Sequence, residues 1–160
     1  MISAQISVGI ATVSASEALR GSKTFPVTAT QFNTRIEALG WGDFDRVMGP
    51  LVFDLTYINM SVVVDDTFEE RVGALWTAMF PNIDRELPPG LTQAELQGEN
   101  FHKWRNAWYD VHTLWAHLNA ERDVFVMTNT KDFQKNADKL ALHGLKAVHT
   151  PAEALRILTN

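Results

Sequence analysis

Between Asp123 and Phe133 the chain reads Asp-Val-Phe-Val-Met-Thr-Asn-Thr-Lys-Asp-Phe, and the change of character inside those residues restricts the fold more than any other segment. Val124, Phe125, Val126 and Met127 form an unbroken apolar run. Such a run, without polar alternation, is the mark of a strand covered on both faces inside a parallel sheet. Thr128, Asn129, Thr130 and Asp132 follow at once, and a helical pattern occupies 133–143. In an open α/β sheet, ligands collect at the carboxyl ends of the strands, where a polar turn of this kind is presented.

The preceding segment predicts a long helix over residues 101–118. Trp104, Ala107, Trp108, Val111, Leu114, Trp115 and Leu118 recur at helical spacing, so this stripe is core. Asn106, Asp110, Thr113 and His117 fall on one polar flank beside it by the same arithmetic. A helix that buries three tryptophans is well fixed and aims a flanking carboxylate rigidly. Asp110 and the polar turn after the next strand can then face one cleft, and two oxygen-bearing clusters in one cleft can hold a divalent metal.

Elsewhere strands and helices alternate. Ile6, Val8, Ile10 and Val13 make residues 2–13 a strand, and Ser14-Ala15-Ser16-Glu17 then reads as a capping box with Ser14 as N-cap. Residues 30–39 predict a helix with Phe32, Ile36 and Leu39 on one stripe, stopped by Gly40. One further helical turn is expected at 43–48, and one or two strands among the β-formers of 51–64. Asp65-Asp66-Thr67 caps a helix with Phe68, Val72, Leu75, Trp76 and Met79 on one face, ended by Pro81. Pro88-Pro89-Gly90 marks a loop, after which Thr92 opens a short helix. A last strand at 146–149 leads to a helix at 151–158, with Thr150 as N-cap and Pro151 in the first helical position. This alternation gives an α/β fold with a mostly parallel sheet. A chain of 160 residues supports one domain with a real core and is short for two, so the reading is one domain over 1–160.

Composition narrows the chemistry. With no cysteine, disulfides, thiolate ligands and thiol nucleophiles are excluded. The net charge of −5 argues against a tight, sequence-independent nucleic-acid binder, but not against an enzyme that holds RNA briefly. Lys131, Lys135, Lys139 and Lys146 form a weak basic concentration near the proposed cleft, although a solvated helix face explains them as well. No apolar run approaches the roughly 20 residues that span a bilayer. Residues 1–13 carry no basic stretch or cleavage-like site, so a cytoplasmic protein without membrane contact is expected. No Gly-rich phosphate loop, His-Glu-x-x-His or Gly-x-Ser-x-Gly occurs. His117 reads as a helix-surface residue, and His143 and His149 as surface or packing residues.

The Asp110 helix, the strand ending in Thr128-Asn129 and the closing Val148-His149-Thr150-Pro151-Ala152-Glu153-Ala154-Leu155 resemble the C-terminal part of a PIN-like domain. The likeness is strongest from Trp104 to Leu155 and fainter through Phe80-Pro81-Asn82-Ile83. It implies a three-layer α/β/α domain with a mostly parallel sheet, possessing ribonuclease activity. In that family, three or four carboxylates bind Mg²⁺ or Mn²⁺, which activates water against an RNA phosphodiester. Carried over by position, Asp110 matches the family's helix carboxylate, and Glu17 is similar to the acid that opens an earlier helix. The turn Thr128-Asn129-Thr130-Lys131-Asp132-Phe133 matches the acidic turn after the strand. The resemblance thus implies Asp110, Glu17 and Asp132 as metal ligands, Thr130 and Asn129 as helpers at the phosphate, and RNA as substrate. A protein partner or second copy belongs to the same expectation, since such proteins often serve as toxins or RNA-processing factors.

Two departures stand beside it. Thr130 occupies the place where the family usually has an acid, leaving Asp132 two places on. The first-strand aspartate has no counterpart, so a β-α piece of roughly 30 residues is missing from the match. A catalytically inactive PIN-like binding or assembly module is therefore the alternative. An unrelated α/β domain binding a small phosphorylated ligand at the same strand ends is a third. Residue by residue, Asp110 also reads as a solvated helix residue, Glu17 as a capping glutamate, and Thr130 or Asp132 as an N-cap of the following helix.

Overall fold

Parallel strands cannot be joined by a tight hairpin, so a chain that pairs them must cross over between partners. The computed structural model describes residues 6–16, 29–52, 55–86 and 99–158, and the three strand pairs among the described residues are all parallel. With helices between and after them, the architecture is mixed α/β. Met1–Val64 and Asp65–Asn160 each form a unit with its own contacts. No helix among the described residues is long and apolar enough to cross a membrane.

In the first unit, β1 (Gly9–Ala11) pairs with β2 (Asp45–Val47), and β3 (Gly49–Pro50) with β4 (Ser61–Val62). Phe32 and Ile36 of α1 (Ala29–Ala38) pack with Ala15 and Met60 to make a small core. Gly40, at φ +73°, closes α1: its N–H donates to the Glu37 carbonyl and the Trp41 N–H to that of Ile36, both at 2.9 Å. Thr12 ties the strands together. Its buried hydroxyl accepts the Gly49 N–H at 3.0 Å and lies 2.7 Å from the Met60 carbonyl and 3.2 Å from that of Val47, one of which takes its proton.

Three local expectations change here. Ser14 lies inside a 3-10 turn, Thr12–Ser16, and is not the N-cap of an α-helix. Residues 45–47 form a strand where a helical turn is expected, because their backbone pairs with β1, a long-range partner that local pattern does not reveal. Of residues 2–13, only 9–11 are paired among the described residues. The short helix expected at Thr92 lies outside the described residues, as does Glu17.

The second unit is built on two helices and a βαβ crossover. α2 (Phe68–Met79) and α3 (Glu99–Asn119) run antiparallel, since Phe68 meets Trp115 edge-on at 5.2 Å while Trp76 meets Trp104 at 6.2 Å. Trp104, Trp108 and Trp115 are all buried as the stripe predicts, with α2 as the main wall against which Trp104 and Trp115 pack. Two indole N–H groups are satisfied from the loop after α2, Trp76 donating to the Ile83 carbonyl at 2.7 Å and Trp104 to that of Arg85 at 3.2 Å, while that of Trp115 is buried without a hydrogen-bond partner. β5 (Val124–Val126) pairs with β6 (Ala147–His149), Phe125 opposite Val148, and α6 (Pro151–Leu158) follows.

Between the strands the expected single helix is two, α4 (Lys131–Lys135) and α5 (Ala137–Ala141). The break is at Asn136, whose side-chain amide donates to the Asp132 carbonyl at 2.8 Å, offering the backbone an alternative to continued helix. Phe133 and Leu140 nevertheless stay fully buried. β5 also differs from expectation: Phe125 is buried but Val126 is 45% exposed, so the strand is covered on one face, not both.

Candidate functional site

The candidate residues of the second unit lie on the polar flank of α3 and in the turn after β5. The register between them is set by His117, whose ring packs 5.0 Å from that of Phe125. The chain reverses in the turn 120–123, where Glu121 takes φ +52°, and the Arg122 N–H donates to the His117 carbonyl at 3.3 Å. The chain therefore turns back on itself between α3 and β5. Asp110 lies seven residues back from His117, about 10 Å along the helix. Thr128 lies three residues on from Phe125, two residues beyond the end of β5.

Asp110 is half-buried on that flank, whose exposure falls from open Asn106 to closed His117. At the strand end, Thr128 and Asn129 are exposed while Thr130 is only 7% exposed. Thr130 stands at the N-cap position of α4, and its carbonyl accepts the Gln134 N–H at 2.8 Å, yet its side chain makes no capping bond. Asp132 is half-buried in the first turn of α4. Asn129, Thr130 and Asp132 thus lie together in the turn after β5 and Asp110 lies on the flank of α3; Glu17 belongs to the residues that are not described.

The donor chemistry suits a hard divalent ion, because carboxylate oxygens are what Mg²⁺ and Mn²⁺ prefer. The number of donors falls short: among the described residues no group of three or more His, Asp or Glu side chains is placed to hold a metal. Asp110 and Asp132 supply at most two of the three ligands that the resemblance implies.

Two histidines are part of this structure and not of its surface. His112 stacks on Trp108 with ring centroids 4.0 Å apart, its Nδ1 lies 2.7 Å from the Trp108 carbonyl, and burial pushes its pKa down to about 4. Burial likewise pushes His117 down to about 4, against an opposing pull from Asp123, and its Nε2 is buried without a hydrogen-bond partner. Sequence pattern gives His117 as a helix-surface residue; it is 5% exposed because the strand after the turn folds back over it.

Of the four lysines, Lys131 lies in the turn itself, whereas Lys139 and Lys146 lie elsewhere. Lys146 precedes β6 and pairs at 2.6 Å with Asp123, which precedes β5, so both mark the opposite end of the strands. That contact raises the pKa of Lys146 and lowers that of Asp123. Lys139 lines a hollow between α2 and α5. His149, which the sequence reads as a surface or packing residue, and Arg156, which it does not single out, stand at the end of β6 and in α6. The signal for them is position alone: His149 closes the strand, and Arg156 follows one turn into the capped helix.

The chain matches no protein-family model, no curated protein and no solved structure.

Proposed function

We propose that this chain is a PIN-like, divalent-metal-dependent ribonuclease of three-layer α/β/α architecture, hydrolysing RNA phosphodiesters in the cytoplasm. Asp110 and Asp132 hold Mg²⁺ or Mn²⁺, and Thr130 and Asn129 donate hydrogen bonds to the phosphate. What supports this reading is the His117–Phe125 contact, which packs the helix that carries Asp110 against the strand that leads into the polar turn. A bound divalent ion supplies a Lewis acid and lowers the pKa of its water. The protein's part is aim: Trp104 and Trp115 lock α3 against α2, so the Asp110 carboxylate is held by a helix that cannot roll. The test is cleavage of single-stranded RNA with Mn²⁺ and with EDTA. Cleavage that needs Mn²⁺ and disappears in Asp110→Asn supports the reading, and an inert wild type counts against it.

One observation favours a second reading, a PIN-like module that binds or assembles without cutting: no three carboxylates gather among the described residues. In that case RNA or a protein partner binds and no Mn²⁺-dependent cleavage accompanies it.

A further inference from the structure

The carboxyl end of β6 carries a group of side chains that the ribonuclease reading leaves unused. His149 closes the strand, sits opposite Val126 in the register, and accepts the Met127 N–H at its carbonyl at 3.1 Å. Neighbouring strands lie about 4.8 Å apart, so His149 is beside the Thr128–Asp132 turn at the same edge of the sheet. α6 brings Glu153, Arg156 and Ile157 around it, and the four line an open hollow of about 320 Å³. Glu153 is engaged by the helix start: its Oε2 accepts the Thr150 N–H at 2.7 Å and the Thr150 hydroxyl at 2.9 Å. Those bonds, N–H first, hold its pKa below the ordinary value, with His149 and Arg156 adding smaller pulls of the same sign. Arg156 is exposed, and its Nε donates to the Ala152 carbonyl at 3.3 Å.

A planar guanidinium fork fits phosphate oxygens two at a time, and a histidine beside it adds a further donor. The geometry points to a phosphate-binding subsite at this hollow: Arg156, with His149 beside it, takes a backbone phosphate of single-stranded RNA adjacent to the phosphate presented at the Thr128–Asp132 turn. Ile157, 54% exposed, gives the neighbouring sugar or base an apolar wall. Glu153 opposes the anion by its charge and tempers affinity. The subsite rests on the reading of this domain as an RNA-handling one, but it concerns binding and not cleavage.

The two claims are separated by measuring binding where no cleavage can occur. A fluorescein-labelled ten-nucleotide single-stranded RNA is titrated with the full chain in EDTA, by anisotropy, at several salt concentrations. Arg156→Ala is expected to weaken binding about fivefold and to reduce the salt slope by about 0.7, one phosphate contact on a single strand. Glu153→Gln keeps the capping acceptor and loses the charge, so it is expected to tighten binding about twofold. Opposite signs from two substitutions on one helix cannot come from unfolding. The subsite is overturned if Arg156→Ala leaves affinity and slope unchanged, if both variants lose affinity alike, or if wild type binds no RNA. Mn²⁺-dependent cleavage by the same proteins is scored separately: a chain that binds through Arg156 and does not cut keeps the subsite and loses the ribonuclease.

Discussion

Lowering the pH from 7.5 to 5.0 probes how the core of the Asp65–Asn160 unit is made, because two histidines are buried in it uncharged. His112 is 4% exposed, and its pKa is pushed from 6.5 down to about 4 by burial. A folded-state pKa below the unfolded one means that, between those values, the unfolded chain takes up a proton that the folded chain refuses. Stability from this group is therefore complete above pH 6.5 and falls as pH drops toward 4. The shift, 6.5 − 4 = 2.5, amounts to about 3 kcal/mol in all, of which about 2 kcal/mol is gone by pH 5. His117 moves in the same direction. The depressed carboxylates Asp65, Asp123 and Glu153 act only below their ordinary values of 3.8 and 4.5, so they are silent in this window. His112→Phe keeps a ring on Trp108 and removes the titration. Urea unfolding followed by circular dichroism should show wild type losing about 2 kcal/mol more than His112→Phe between pH 7.5 and 5.0. Equal losses in the two proteins would refute the buried, neutral histidine and with it the packing described around Trp108.

Three stability predictions follow from other contacts. Trp108→Ala empties a buried aromatic site and should cost about 3–5 kcal/mol by urea denaturation, where a loss below about 1 kcal/mol would show that the indole is not core. Gly49→Ala puts a Cβ into Val13 Cγ2, a side chain only 2% exposed, and should cost about 1–3 kcal/mol, against a neutral result if the strands simply part. Glu121→Gly relieves the positive φ at the reversal before β5 and should add about 0.5–1 kcal/mol, while destabilisation would mean that this turn is not left-handed in solution.

Much of the second unit was legible in the sequence because its signals are local. The tryptophan stripe gives α3, the apolar run gives β5, and Thr150-Pro151 with Glu153 sets the start of α6, where the Thr150 hydroxyl also accepts the Glu153 N–H at 3.3 Å. What was not legible depends on partners distant in sequence. Residues 45–47 become a strand through β1, His117 becomes core through Phe125, and Lys146 is drawn to Asp123 at the far end of the sheet. The break at Asn136 is local, yet a helical apolar pattern hides it, since Phe133 and Leu140 remain inside on either side. Of the candidate site, Asp110 and the turn after β5 could be read from spacing. The meeting of His117 with Phe125 could not, because it depends on the turn at 120–123.

The claim on which the functional account rests is that Asp110 helps to hold a divalent ion, and calorimetric titration of Mn²⁺ into three proteins tests it most directly. Wild type should bind Mn²⁺, and Asp110→Asn should lose that binding while its circular dichroism is unchanged, because an amide keeps the shape and drops the charge. Thr130→Asp should bind more tightly than wild type by adding a carboxylate at the strand end. If none of the three binds Mn²⁺ at millimolar concentration, Asp110 is not a metal ligand, and the non-cutting module replaces the ribonuclease.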